Sequence, residues 1–283
     1  MIQFVDTLQQ IMRSDSVWAC PGICRHLQWQ VRKAFRRFPC ELTIAGSRLK
    51  VDRPLAIAAL INSMGEYDYN NMNLLKFVLS HDKSTFIDVG ANIGAYTLIA
   101  SEVADTTVVS FEPHPATFSM LEDNVRLNGR SNVICLNLAL SSQDGELRFT
   151  DNPGSPVNRV IQSGNTFGAE LRVPSRRLDA VCRELKVVPD FVKIDVEGHE
   201  AAVLDGFAAL AGTTKIIFIE GGEGQGVRSW MQAAGYTGPW FAHFKRRLLL
   251  PVRQTRPEDP VFVYQDFLPE LQRMNFDAVE RPI

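Results

Sequence analysis

The sequence predicts an α/β fold built on a mostly parallel sheet with crossover helices, and three observations carry this. Short apolar runs alternate with helix-length amphipathic segments over residues 79–223. The run Thr85–Val89 ends at a glycine-bearing turn, Gly90-Ala-Asn-Ile-Gly94, which opens a helix. A second apolar run, Thr107–Phe111, ends in Glu112-Pro113, eighteen residues beyond Gly94.

The elements follow in order. His26–Phe38 places Leu27, Val31, Ala34, Phe35 and Phe38 on one helical face, the side expected to pack on the core, with Arg25, Arg32, Lys33, Arg36 and Arg37 elsewhere. Glu41–Val51 reads as a short hairpin. These belong to a flank, residues 1–78, that precedes the alternating domain, residues 79–283, and could serve as a lid or docking element. Within that domain, Thr85–Val89 is a strand and Ile93–Glu102 a helix that Asn92 can cap. Thr107–Phe111 is the next strand, followed by a helix over Ala116–Asn128 and a strand over Asn132–Leu138. Glu146–Thr150 reads as a hairpin arm turned by Asp144-Gly145, and the Gly/Asn/Ser/Pro-rich stretch 151–168 as a loop. Ser175–Leu185 is predicted helical, Phe191–Ile194 a strand, Glu200–Leu210 a helix, Lys215–Ile219 a strand, Gly226–Ala234 a helix and Val261–Tyr264 a late strand.

Composition narrows the class. A hydrophobic fraction of 45% with 22% charged residues suits a globular chain, and no apolar run is long enough for a membrane span, so a cytoplasmic protein is expected. The net charge of −2 gives no reason to expect nucleic acid or an integral membrane role. The charge is nonetheless uneven: residues 1–50 carry +5, leaving −7 for the rest. A second basic stretch, 243–256, includes His243-Phe-Lys-Arg-Arg247 and lies in a segment without any Asp or Glu. The basic face of helix 26–38 is a solvated flank or a docking face for an anionic carrier or a membrane surface, and 243–256 is a solvated edge or a rim that attracts a phosphorylated, acidic or carrier-bound acceptor. The five cysteines are scattered and odd in number, as expected of reduced thiols; Cys20, Cys24, His26 and Cys40 match no common zinc spacing.

The glycine turn is where a ligand would lie against bare backbone. Its spacing is neither G-x-G-x-x-G nor a Gly-Lys-Ser/Thr phosphate loop, and Phe86–Leu98 contains no basic residue to meet a pyrophosphate. Asp88 at the strand tip instead suits a ligand with a cationic end, and S-adenosylmethionine, with its ammonium and sulfonium groups, fits. Glu112 stands where nucleoside-binding α/β folds direct a carboxylate to ribose hydroxyls. Ala139-Leu140-Ser141 would border the adenine.

A further cluster, Lys193-Ile-Asp195-Val-Glu197-Gly-His199-Glu200, puts residues 193, 195 and 197 on one side of an extended chain. Methyl transfer to a hydroxyl needs an oriented acceptor and removal of its proton. Asp195, Glu197 or His199 could take that proton, with Lys193 neutralising Asp195. Glu220, at the tip of the neighbouring strand, could join as base or, with Asp195, as ligand to a divalent cation. The alternatives are a helix N-terminus that favours Glu197 and Glu200, an exposed His199, and a Glu220 satisfied by loop amides.

Phe86–Leu98, Phe111-Glu-Pro-His-Pro115, Asn137–Ser142 and Val192–Glu200, in this order, resemble the FkbM family of S-adenosylmethionine-dependent methyltransferases. The resemblance implies a class I, Rossmann-like methyltransferase fold: a mostly parallel seven-stranded sheet with one antiparallel strand, here with an N-terminal helical and hairpin extension. It also implies O-methylation of a sugar, glycan or polyketide-type natural product, with S-adenosylhomocysteine as product. By the family pattern Asp88, Gly90, Asn92, Gly94 and Glu112 bind the cofactor, joined by Thr97, Pro113, Ala139 and Ser141. Gly65-Glu-Tyr67-Asp68 resembles a family element preceding the glycine turn, with Tyr67 against the cofactor. The competing classes are an NAD-dependent oxidoreductase, disfavoured by the missing dinucleotide fingerprint, and a non-catalytic cofactor-binding module. A homodimer is a further candidate assembly.

Overall fold

A computed structural model describes residues 19–151, 158–161, 169–222, 224–243, 247–249 and 259–279. The described residues begin with α1 (Ala19–Ala34), a hairpin of β1 (Cys40–Ile44) and β2 (Ser47–Val51), α2 (Ala56–Met64) and α3 (Tyr69–Leu79). There follow β3 (Ser84–Val89), α4 (Ala95–Ser101), β4 (Thr106–Phe111), α5 (Pro115–Leu127) and β5 (Val133–Leu136). Three short strands come next, β6 (Ala139–Leu140), β7 (Gly145–Thr150) and β8 (Glu170–Arg176), then α6 (Leu178–Leu185), β9 (Phe191–Ile194), α7 (Glu200–Phe207) and β10 (Ile216–Ile219). The last part holds α8 (Gln225–Ala233), β11 (Tyr236–His243), β12 (Arg247–Leu249), β13 (Val261–Tyr264), α9 (Leu268–Arg273) and β14 (Asp277–Val279).

The main sheet runs β14-β12-β11-β13-β10-β9-β3-β4-β5. Its central strands pair in parallel, β3 with both β4 and β9, and β9 with β10. β13 enters reversed, antiparallel to both β10 and β11. Seven strands thus match the expected sheet with its single antiparallel member, and β12 and β14 extend one edge.

β3, β4, β9 and β10 are apolar on both faces because helices cover both. Phe86, Val108, Phe191, Ile216 and Phe218 face a core shared with Ile61, Leu74, Leu75 and Leu98. Ile87, Val109, Val192, Ile194 and Ile217 face the other core, with Val181, Leu204, Phe207 and Met231. The hairpin joins the first core through Ile44, Leu49 and Val51, so flank and sheet bury side chains together.

Three local expectations fail for physical reasons. Ser175 and Arg176 end β8 instead of starting a helix; β8 pairs antiparallel with β7 from Glu170↔Thr150 to Ser175↔Gly145, and the helix begins at Leu178. The partner of the Glu146–Thr150 arm is therefore residues 170–176, reached across the long loop, and not the segment just before Asp144-Gly145. Most of that loop, 152–157 and 162–168, lies outside the described residues. In α1 the packed face is the opposite of the expected one: His26 and Trp29 are buried, while Leu27, Val31, Ala34 and Phe35 are exposed. Trp29, the largest side chain available, packs edge-on against Phe38 at 5.5 Å, which outweighs an apolar stripe of smaller groups.

At Gly206 in α7 a Cβ would stand 2.1 Å from the Ser141 carbonyl oxygen. Backbone on both sides leaves no flexible group to yield. Gly206→Ala is expected to destabilise the chain by about 2 kcal/mol, lowering Tm by about 5 °C in a thermal melt.

Candidate functional site

The carboxyl ends of β3, β4, β9 and β10 form one rim, and the chain direction changes there because β3 has β4 on one side and β9 on the other. In open α/β sheets this crevice is where ligands bind. At Gly90 (φ +80°) a Cβ would lie 1.9 Å from the Asp195 carbonyl oxygen, so the first turn and the β9 tip touch backbone to backbone. The amides of Gly90 and Ala91 both donate to the Phe111 carbonyl, at 3.0 and 2.9 Å. Asn92 also takes a left-handed φ of 52°, and its side-chain oxygen accepts the Ile93 amide at 2.9 Å. It does not cap the helix: α4 starts two residues beyond Ile93's position, with left-handed Gly94 before it.

Glu112 fixes this turn. Its carboxylate accepts the Asn92 amide at 3.0 Å and the His114 amide at 2.9 Å. Burial pushes its pKa up to about 7, with those two amides opposing. Asp88 is buried below the turn and accepts a hydrogen bond from Thr97 Oγ1 at 2.7 Å. Burial raises its pKa too, with Lys193 acting against it.

Lys193 is almost fully buried, 2.7 Å from Asp195 Oδ2 and 4.9 Å above the Tyr96 ring centre. Burial alone would lower the ammonium pKa, but Asp195, with Tyr67, Asp259 and Asp88 nearby, holds it above the usual lysine range. Asp195 feels the reverse balance: burial would raise it, yet Lys193 keeps it ionised. Glu220 shares a hydrogen bond with Asp195 and is pushed well above the carboxylate range by burial and by that neighbour's charge. Its Oε2 is buried without a hydrogen-bond partner. Their environments thus push the pKa values of the two carboxyls apart, Glu220 upward and Asp195 downward.

β9 ends at Ile194, so extended geometry does not align residues 193, 195 and 197. Instead Glu197 adopts φ 56°, and this bend folds its carboxylate back. Asp195, Glu197 and Glu220 then each place an oxygen within 4.8 Å of the others. Burial, Asp195 and Glu200 raise the Glu197 pKa. Glu200 accepts the Gly198 amide at 2.9 Å, a structural role at the start of α7. His199 Nε2 lies 3.0 Å from Ser141 Oγ, and burial lowers its pKa, keeping the ring neutral.

Among the described residues, two cavities open on this rim. The larger, about 230 Å³, is bordered by Gly90, Glu112, Pro113, Ala139, Leu140, Asp195, Glu197 and His199 on the sheet side and by Arg53, Leu55, Ile57 and Leu60 of the flank on the other. The smaller, about 30 Å³, lies between Tyr67, Asp88, Gly90, Tyr96, Lys193 and Asp195. Asp195, Gly90, Asn92 and Ile57 border both. Thr97, Gly94, Ser141 and Glu220 border neither: Thr97 holds Asp88, Gly94 faces Leu121, Ser141 holds His199 and Glu220 holds Asp195. Sequence reasoning missed Arg53, whose Nε is buried without a partner, and Asp259, whose burial beside Asp68 raises its pKa. Neither sits in a motif; the preceding Lys50–Asp52 pair gave Arg53 no distinguishing pattern. Asp68, at the end of the Gly65-Glu-Tyr67-Asp68 element, is buried and accepts hydrogen bonds from Tyr96 and Asn71. The zinc option at Cys24, His26 and Cys40 is set aside by His26, whose two ring nitrogens meet Ser63 Oγ at 3.2 Å and Gln30 Nε2 at 3.1 Å. Of the basic stretch 243–256, residues 244–246 and 250–256 lie outside the described residues.

A parallel sheet whose seventh strand slips in reversed between the fifth and the sixth is the class I methyltransferase fold, and this chain has it. The family profile described as "Methyltransferase FkbM domain" matches residues 88–237, more than half of the chain. The chain belongs to the FkbM methyltransferase family. Among its relatives, the hexuronic acid methyltransferase AglP of Haloferax volcanii is 32% identical over 139 residues, which is 47% of this chain and 54% of the relative. Methyltransferase 1 of Beauveria bassiana is 31% identical over 147 residues, 44% of this chain and 59% of the relative. The chain thus spans little more than half the length of these curated relatives. Among solved structures, M. jannaschii TYW2 in complex with AdoMet superposes with a TM-score of 0.43 at 16% identity, covering 79% of this chain and 85% of that one.

Proposed function

We propose that the chain is an S-adenosylmethionine-dependent O-methyltransferase that acts on a hydroxyl of a sugar or glycan carrying an acidic group. The observation that carries this reading is Asp195, the one carboxylate among the described residues that borders both cavities. The smaller cavity, with Asp88 and Tyr67, suits the amino-acid end of the cofactor; Glu112, Pro113, Ala139 and Leu140 suit its nucleoside. The sulfonium then falls between them, beside Asp195, whose ionised carboxylate attracts the cationic cofactor.

In the reaction the acceptor oxygen attacks the methyl carbon in line, the sulfur keeps the bonding electrons as a neutral thioether, and the hydroxyl proton leaves to a base. Asp195 is that base in this reading, with Lys193 orienting it, Glu220 holding it from behind and His199 lining the larger cavity. Asp195, Glu197 and Glu220 also form a donor set of hard oxygens that fits a divalent cation. A cation bound there would acidify the acceptor hydroxyl. Turnover measured before and after exhaustive chelation separates the two arrangements.

Arg53 supports the acidic acceptor, because its guanidinium is the one permanently cationic group among the described residues bordering the larger cavity. The hexuronic acid specificity in the name of one relative agrees with this. Arg53→Gln is expected to raise KM for an acidic sugar acceptor about tenfold or more and leave kcat within about threefold. An unchanged KM would remove the acidic group from the proposal.

Cofactor binding is expected to release protons. Glu112 titrates at about 7 when unliganded, so it is partly protonated at neutral pH. Ribose hydroxyls and a nearby cation both favour its ionised form, so binding lowers its pKa and affinity rises as the pH goes from 6 to 8. Calorimetry at pH 7 should give a more exothermic apparent enthalpy in Tris than in phosphate, because Tris takes up the released protons with more heat. Identical enthalpies would show that Glu112 is already ionised or stays out of the site.

A further inference from the structure

We propose that α1 is a docking helix for an anionic lipid bilayer. Its inner side is firmly seated. Trp29 and His26 are buried, Arg25 Nε donates to the Ser63 carbonyl at 3.1 Å, and Asn62 Nδ2 donates to the Arg25 carbonyl at 2.7 Å. Its outer side is apolar, and none of the described residues covers it. Leu27, Val31 and Phe35, spaced four apart and so stacked on one face, are 49%, 50% and 69% exposed. Of the five large hydrophobic side chains that stand exposed among the described residues, three are in this stripe. Scattered singly they would be ordinary surface; contiguous and alongside basic residues they mark a contact face.

The charge chooses the occupant. Arg32, Lys33, Arg36 and Arg37 lie at the helix's C-terminal end and in the turn after it, and no Asp or Glu occurs between Asp15 and Glu41. The Arg37 guanidinium sits 5.6 Å from the centre of the Phe35 ring, so cation and apolar group are presented together. A second copy of the chain would set this basic patch against itself. A bilayer with anionic headgroups satisfies both halves: apolar side chains enter the acyl boundary while the long basic stems reach the phosphates. No described helix is long and apolar enough to cross a membrane, so the contact is peripheral. No residue of α1 borders either cavity, and the contact does not depend on the acceptor assigned above.

The test is flotation of the full chain with phosphatidylcholine vesicles and with the same vesicles carrying about one-third phosphatidylglycerol. Binding is expected on the anionic vesicles alone and should weaken at high salt. Arg36→Gln with Arg37→Gln should lower the partition coefficient by about twentyfold, about fivefold per charge. The combined Leu27→Ser, Val31→Ser and Phe35→Ser variant should abolish flotation while its calorimetric affinity for S-adenosylhomocysteine equals that of the wild type, which shows that it folds. Equal binding to both vesicles, no binding to either, or full binding by the triple-serine variant would each overturn the proposal. So would a wild-type dimer in light scattering that the triple-serine variant converts to monomer, since a second copy would then cover the stripe.

Discussion

Asp195→Asn is expected to lower kcat by about a thousandfold while the affinity for S-adenosylhomocysteine stays within about tenfold. Asparagine keeps the shape of the side chain and can still accept from Lys193, so the β9 tip should hold. What it loses is the capacity to take the hydroxyl proton. It also removes the partner that keeps Glu220 protonated, so the charge on Lys193 would be met by Glu220 instead. A pre-steady-state measurement of methyl transfer, paired with calorimetry of the product nucleoside, separates chemistry from binding. Turnover within about tenfold of wild type would exclude Asp195 both as base and as cation ligand.

Gly90→Ala is expected to weaken cofactor binding by more than about a hundredfold and to lower stability by about 3 kcal/mol. The new methyl would stand 1.9 Å from the Asp195 carbonyl oxygen and 2.9 Å from its carbonyl carbon, and both are backbone. Relief requires the tips of β3 and β9 to part, which would break the Asp195 amide's 3.0 Å bond to the Val89 carbonyl. The φ of +80° adds strain that only glycine avoids. Thermal melts and nucleoside titration read the two effects separately. A variant as stable as wild type would mean that the two strand tips are free to separate, and that the site is less tightly built than its contacts imply.

The sheet and the rim were legible because their signals are local. Asp88, Gly90, Glu112 and Asp195 each end a short apolar strand, and strand tips of a parallel sheet converge wherever the intervening helices fall. What escaped was set by contacts between distant segments. The arm 146–150 pairs with 170–176 across a long loop, so nothing adjacent in sequence announces it. Helical periodicity found the apolar stripe of α1 but could not tell that Trp29, with Phe38 and the His26–Ser63 contact, would seat the opposite side. Arg53 and Asp259 arrive at the site region from the flank and from the far end of the chain, each outside any motif. Glu197 was placed beside Asp195 for the wrong reason: a left-handed bend, not an extended strand, returns its carboxylate.

The reversed strand β13 also carries a consequence for biosynthesis. Its slot lies between β10 and β11, both of which leave the ribosome earlier. Until Val261–Tyr264 emerges, two hydrophobic strand edges in the middle of the nascent protein have open hydrogen-bonding groups and no mate. A translating chain should therefore lean on chaperones most heavily just before that point. Arrest peptides placed at successive lengths should record a late, single pulling event as the missing strand snaps into its gap.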